Sequence, residues 1–335
     1  MVTMAEVAQI AGVSTMTVSN VLNGRKAVSD SARKRVLEAV EASGYVMNHS
    51  ARALRKGATG VIGLAVPGLD NPYFSLLADR LIARAGQLGY RVAIEQTSAK
   101  VEGELAAVAI SRTLDYDGLI MTAVEIGPED ARRLGRTIPL VLIGERSQGG
   151  TVDHIAMANV EGARAATAHL AERGCRRIAW VSNPDPLPDT NNVLYLRHRG
   201  YLQALDEAGL QADPRLTASP GALTMSGGRM AAHRLVDDAV DFDGVVAVTD
   251  SVALGVLRGL ADRKVRVPDD VRVVGFDDVN EAEFSVPSLS SVHPGHDWMV
   301  DTMLKLLLER INGTRKGDGR ELVAPYELIV RESSA

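Results

Sequence analysis

From Val61 onward, short apolar runs alternate with longer amphipathic ones, and no other feature limits the fold as tightly. Candidate strands are Val61–Val66, Arg91–Gln96, 118–121, Leu140–Ile143, 155–157, 177–182, 244–249 and 271–276, with helical stretches between most of them, including 72–88, 160–173, 194–208 and 250–263. A strand that returns parallel to its neighbour needs a crossover helix, so this alternation implies parallel sheets with right-handed connections. There are more strands than one compact sheet usually holds, which predicts two doubly wound subdomains. In such a body a ligand sits at the carboxyl ends of the strands, in the crevice between the halves.

The first 57 residues obey a different grammar. Thr3 followed by Glu6 reads as a capping box, with Val2 and Val7 as a hydrophobic staple. Val7, Ala8, Ile10 and Ala11 form the apolar stripe, and Gly12 ends the helix. Ser14 opens a second helix with Val13 and Val18 as its staple and Val18, Val21 and Leu22 on its buried side. A third starts at Ser29, buries Ala32, Val36, Leu37 and Val40, and stops at Gly44. Two short helices joined through Gly12, Val13 and Ser14 make a helix-turn-helix, whose second helix suits a DNA major groove. Its outward face is Thr15, Met16, Thr17, Ser19, Asn20 and Asn23: Asn can bond adenine and Met can touch a thymine methyl. A small helical bundle with a neutral surface would show the same pattern.

Charge separates the two parts. Residues 1–57 carry eight Lys/Arg against four Asp/Glu, a surplus of four, while the whole chain stands at -5, so the remainder carries -9. A basic head on an acidic body is expected where only the head meets a polyanion. The run 48–57 is helix-prone and basic on one side, and bears an exposed apolar Leu54. Such a side chain is a liability in a linker but serves as a minor-groove wedge, where apolar insertion between base steps kinks the duplex. No apolar stretch approaches the roughly 20 residues of a membrane helix. The N-terminus has no basic region of the secretory kind. The single cysteine, Cys175, leaves no disulfide framework and fits a reducing cytoplasm.

Enzyme motifs are missing. No GxGxxG follows a strand, and neither a GxxxxGK[ST] loop nor a GxSxG elbow occurs. His293 and His296 have a conceivable metal spacing, but no Cys or acid cluster accompanies them, and a capped loop around Pro294 and Gly295 is the plainer account. No catalytic residue, metal or cofactor is expected.

The segments TMAEVAQIAGVS (3–14), TVS (17–19), VLNG (21–24) and ARAL (51–54) resemble the head and hinge helix of the lactose/galactose/purine repressor (LacI/GalR) family. The likeness continues through DNPYF (70–74), EGA (161–163), HL (169–170), RHRGY (197–201), DSVALG (250–255) and VGFDD (274–278), and so covers essentially the whole chain. It implies an N-terminal all-α helix-turn-helix head and an α/β body like the type I periplasmic binding proteins, built of two doubly wound subdomains. The expected boundaries are 1–47 for the head, 48–60 for the hinge helix and linker, and 61–335 for the effector-binding and dimerisation domain. Three crossovers near 160, 290 and 320 give a first subdomain of about 61–159 plus 291–319 and a second of about 160–290 plus 320–335.

The resemblance also implies roles. Thr15, Met16 and Asn20 would meet bases, Ser14, Thr17, Ser19 and Asn23 would lie nearer phosphates, and Asn48, Ala51, Arg52 and Leu54 would contact DNA from the hinge, Leu54 in the minor groove. Tyr73, Phe74, Met157, Arg197, Thr249 and Asp277 would line an effector pocket, with the Arg and Asp suiting a polyhydroxylated ligand such as a sugar. Each has a plain structural alternative: Asp277 as a turn cap, Tyr73 and Phe74 as core. The expected partners are double-stranded, palindromic operator DNA and a second copy of the chain; the expected place is the cytoplasm, on the nucleoid, with no membrane.

Four positions depart from the family's pattern. Met47 stands where many members have proline, Thr249 replaces an Asn, Ala158 replaces an Asp, and Ala222 sits where some members carry an aromatic. The last predicts a roomier wall. Rival readings are a periplasmic binding protein, which would have no use for a basic head, and an α/β enzyme, for which no constellation is present.

Overall fold

A computed structural model describes residues 2–22, 28–45, 58–183 and 192–335. The chain forms two compact units, Met1–Thr59 and Gly60–Ala335.

In the first unit, α1 (Met4–Ala11), α2 (Thr15–Leu22) and α3 (Asp30–Ser43) pack around Val7, Ala8, Ala11, Val18, Val21, Val36 and Ala39. The Thr3–Glu6 box is present, and Gly12 and Gly44 leave their helices in the left-handed conformation at φ 61° and 63°, which costs glycine nothing. Ile10 and Leu37, expected inside, are 59% and 52% exposed. Three short helices cover only a narrow stripe of one another, and Ala39 takes the inward position beside Val36.

The second unit holds two six-stranded sheets. The first runs β11 (Glu321–Val323), β5 (Asp153–Ala156), β4 (Leu140–Ile143), β3 (Gly118–Thr122), β1 (Val61–Val66), β2 (Arg91–Gln96), all parallel. The second runs β12 (Glu327–Ile329), β10 (Ser290–His293), β9 (Arg272–Phe276), β8 (Gly244–Ala247), β6 (Ile178–Val181), β7 (Thr217–Ala218), parallel except where β12 meets β10. Helices α4 (Pro72–Gln87), α5 (Val101–Thr113), α6 (Pro128–Gly135) and α12 (His296–Ile311) belong to the first half. The second half has α7 (Asn159–Glu172), α8 (Val193–Glu207), α9 (Met225–Asp237), α10 (Asp250–Asp262) and α11 (Asn280–Phe284).

Both cores arise from continuous Val/Ile/Leu strands, as sheets covered on both faces require. Ile62, Leu64, Ile120 and Val141 meet Leu77 and Leu81 of α4 and Met299, Met303 and Leu307 of α12. Val245, Val273 and Val274 meet Leu170, Val256 and Leu260.

The chain passes between halves three times: after β5, after β10, and between β11 and β12. Strand β10 is held in register by β9 and β12, and β11 by β5, so the second half runs to 293 before the second passage and the first half to 323 before the third. The turn at Pro294 and Gly295 makes the second passage, with Gly295 at φ 73°.

Strand β5 starts two residues before the expected 155, at a carboxylate with no solvent exposure. Asp153 accepts from Arg310 Nε at 2.8 Å, Arg320 Nε at 2.9 Å and the Arg320 backbone N–H at 2.9 Å. One acid thus ties the end of α12 and the approach to β11 to the sheet. The last residues are packed into the second half. Ser333 Oγ donates to Val273 O at 2.7 Å and Ser334 Oγ to Ser290 Oγ at 2.7 Å, both side chains fully buried. Among the described residues no helix is long and apolar enough to cross a membrane.

Candidate functional site

Two surfaces carry the residues singled out by sequence. On α2, Thr15 and Met16 project outward, Met16 with 67% of its surface exposed, while Thr17, Ser19 and Asn20 are half-buried. Ser14 Oγ accepts from the Thr17 backbone N–H at 3.1 Å and lies 2.9 Å from Thr17 Oγ1, so these two hydroxyls first build the helix start. Asn23, Asn48, Ala51, Arg52 and Leu54 lie outside the described residues.

In the body, a cavity of about 240 Å³ opens between the two sheets at the carboxyl ends of the strands. The six expected effector residues, Tyr73, Phe74, Met157, Arg197, Thr249 and Asp277, all line it. Asn71 caps α4 by accepting from the Tyr73 N–H at 3.0 Å, with Pro72 in the first turn, and this start delivers Tyr73 and Phe74 to the wall. Their rings meet edge to face at 5.1 Å. Tyr73 is buried and its hydroxyl has no partner among the described residues, as is also true of Thr122 Oγ1 on the lining. Thr249 caps α10, accepting from the Val252 N–H at 3.3 Å.

Arg197 is 2% exposed and held on every side. Nε donates to Asn159 Oδ1 at 2.7 Å, Nη1 to the Val248 carbonyl and to Asp277 Oδ1 at 3.3 Å, and Nη2 to Asp277 Oδ1 at 3.3 Å and Met157 Sδ at 3.5 Å. Its guanidinium carbon lies 3.5 Å from the centre of the Phe276 ring, a cation–π contact. Directly after β9 comes Asp277 at φ 115°, a strained conformation for a side-chain-bearing residue, followed by Asp278 at 47°; it is Asp277 that faces Arg197. Its backbone is pinned on both sides: the N–H donates to Val292 O at 3.0 Å, and the carbonyl accepts from His296 Nε2 at 2.7 Å.

The carboxyl groups are perturbed. Burial pushes Asp277 up to about 6, opposed by Arg197. Asp250, fully buried, accepts from Ser291 Oγ at 2.6 Å and the Val279 N–H at 3.0 Å; burial and then the charge of Asp277 push it up. Arg197 favours ionisation of Asp277, and the charge on Asp277 adds to burial in raising Asp250. A Cβ on Gly275 would stand 2.1 Å from Asp250 Oδ1, so glycine there is what admits this carboxyl to the sheet. Burial lowers His296 to about 4, keeping it neutral.

Sequence reading missed Glu145, Asn159 and Leu223. Glu145 leaves the end of β4 for the cavity and accepts from Asn159 Nδ2, and burial pushes it up to about 7 against the opposing charge of Arg197. Asn159 thus joins Glu145 of the first half to Arg197 of the second, at the first crossing. An acid one glycine beyond the apolar run 140–143 was the available signal. Leu223 lines the cavity and Ala222 does not, so the expected roomier wall is withdrawn. His293 Nδ1 accepts from the Gly295 N–H at 3.0 Å, so the histidine pair braces the second crossing. Among the described residues no three His, Cys, Asp or Glu side chains are arranged for a metal.

The raised carboxyls have a consequence for stability. The folded chain keeps protons that the unfolded chain has already released, so this contribution is complete below about pH 4 and is lost as pH rises through about 6 to 7. Glu145→Gln imitates the protonated form and is expected to flatten the decline in melting temperature between pH 5 and 8. Superimposable pH profiles for variant and parent would contradict this.

Residues 167–334 match the periplasmic binding protein-like domain, and residues 3–48 match the bacterial regulatory proteins of the lacI family. The chain is 30% identical over 335 residues to the ribose operon repressor of Halalkalibacterium halodurans, covering 100% of this chain and 97% of the relative. A LacI-family putative transcriptional regulator from Sanguibacter keddieii superposes with TM-score 0.74 at 38% identity, over 82% of this chain and 98% of that one. The complex of the transcriptional regulator CelR with cellobiose superposes with TM-score 0.70 at 29% identity, over 99% and 100%. A helix-turn-helix head and a two-sheet body with a cavity at its strand ends, matched end to end by such relatives, make this chain a member of the lacI family of bacterial transcriptional regulators.

Proposed function

We propose that this chain is an operator-binding repressor, rather than an enzyme, whose DNA affinity is set by a small effector of the carbohydrate class in the Arg197–Asp277 cavity. The observation that carries the reading is the Glu145–Asn159–Arg197–Asp277 chain of contacts, which crosses between the two halves and borders the cavity. A ligand there acts on both halves at once, which is what coupling requires. Such coupling is typically about 1–3 kcal/mol and reciprocal between ligand and DNA. Phe74, Ile143, Met157 and Leu223 offer an apolar wall beside a few fixed polar groups, the lining that suits a sugar ring. In this reading 1–47 is the head and 48–60 the hinge, and Thr15, Met16 and Asn20 read bases. The protein works as a homodimer on a palindromic site in the cytoplasm, at the nucleoid. Phe284 and Val286, 78% and 95% exposed, are apolar surface that a second copy would cover.

The test is a gel shift on the promoters of the chain's own and neighbouring genes, with and without mono- and disaccharides. A specific complex altered by at least one sugar is expected; no specific complex on any of them rejects the regulator reading. Leu54→Ala should lose specific affinity far more than non-specific affinity, and equal losses would reject the wedge role.

A further inference from the structure

The cavity's charges are unevenly answered. Asp277 has Arg197 as its partner, and that guanidinium is consumed: all three of its nitrogens donate within the protein, and its face lies on Phe276. The other cation on the lining, Arg146, donates to the Glu125 carbonyl at 2.9 Å. Glu145 forms no ion pair with a described residue. Among the described residues, its carboxyl receives the Asn159 amide and the Met157 backbone N–H. A carboxylate removed from water without a counter-ion is costly, and burial accordingly holds Glu145 near 7. The other unsatisfied groups nearby, Tyr73 Oη and Thr122 Oγ1, are hydroxyls suited to a ligand's own hydroxyls.

We infer that the effector is a hydroxylated ring bearing a protonated amine, with Glu145 as the counter-ion of that amine and the residue that selects it. The inference rests on the effector-controlled reading above and narrows its ligand. The ammonium supplies the missing positive charge through a charge-assisted hydrogen bond. The ring packs on Phe74, Ile143 and Leu223, and its hydroxyls meet Tyr73 and Thr122. Phosphorylated sugars and sugar acids are rejected, because their charge would face Glu145.

Calorimetric titration of the full chain with two matched series tests this: glucose, glucosamine and N-acetylglucosamine, and galactose, galactosamine and N-acetylgalactosamine. In at least one series the free amine is expected to bind about tenfold tighter than both relatives, the difference between a charged and a neutral hydrogen bond. Glu145→Gln keeps an acceptor for Asn159 and should erase that preference. A neutral sugar or an acetamide binding as tightly as its amine, or a preference that survives in Glu145→Gln, overturns the amine while leaving a sugar-controlled regulator standing. If no member of either series binds, the amine is overturned and the carbohydrate reading falls with it, whereas operator binding is tested separately by the gel shift.

Discussion

Arg197→Ala is expected to destabilise the body by about 3–5 kcal/mol and to uncouple effector from operator. The side chain is 2% exposed and its donors serve Asn159, Val248, Asp277 and Met157. Removing it leaves Asp277 a buried carboxyl without its cation, beside the raised carboxyl of Asp250, and strips the face of Phe276. Breaking a buried pair on one side costs far more than the pair is worth, because the surviving charge stays desolvated. Two companions separate that cause from lost packing. Arg197→Lys keeps the charge but not the planar fork, and should recover only part of the loss. Arg197→Met with Asp277→Asn removes both charges and should recover most of it. Denaturant unfolding supplies the comparison; a single variant that loses less than about 1 kcal/mol, the scale of an exposed pair, would refute the account. If the protein still binds operator, sugars that release the parent should not release Arg197→Ala.

The second large effect is at Asp153, far from the cavity. Asp153→Asn is expected to cost about 3 kcal/mol, at the lower end for a broken buried pair because Arg310 and Arg320 keep 17% and 25% exposure and can rehydrate. Burial opposes ionisation of this carboxyl, but the Arg320 and Arg310 hydrogen bonds outweigh it and hold its pKa below the ordinary aspartate value. Its stabilisation is therefore present above about pH 4 and lost as pH falls through the lowered pKa. The parent should lose this contribution in acid while the variant has none to lose, so their melting temperatures should converge as pH is lowered. A constant difference down to pH 2 would show that the loss is steric rather than ionic.

Much of the cavity's lining was legible without coordinates, for reasons tied to particular residues. Tyr73 and Phe74 follow an Asn-Pro helix start after a strand, and Asp277 ends an apolar run, so short-range chemistry already aims them at strand ends. Glu145 was not legible, because an acid after a strand is ordinary until its surroundings are known to be dry. Ile10 and Leu37 follow the helical period of a buried stripe and are exposed, since period marks a face but not how much of it a small partner covers. Ala222 failed for a related reason: a cavity wall belongs to whichever side chain the backbone turns inward, and here that is Leu223.

What the sequence determined by itself is whatever local chemistry dictates: the capped helices of the head and the two sheets. Those follow from capping, period and strand length, which act over a few residues. Only the tertiary structure decided where the crossings fall, that Asp153 clamps two distant segments, and that Arg197 is consumed while Glu145 has no ion pair among the described residues. These depend on charges brought together from positions tens to hundreds of residues apart, and on how much water remains around them. Alternating strands and helices announce a body of this kind; the dryness around one carboxyl points to what it holds.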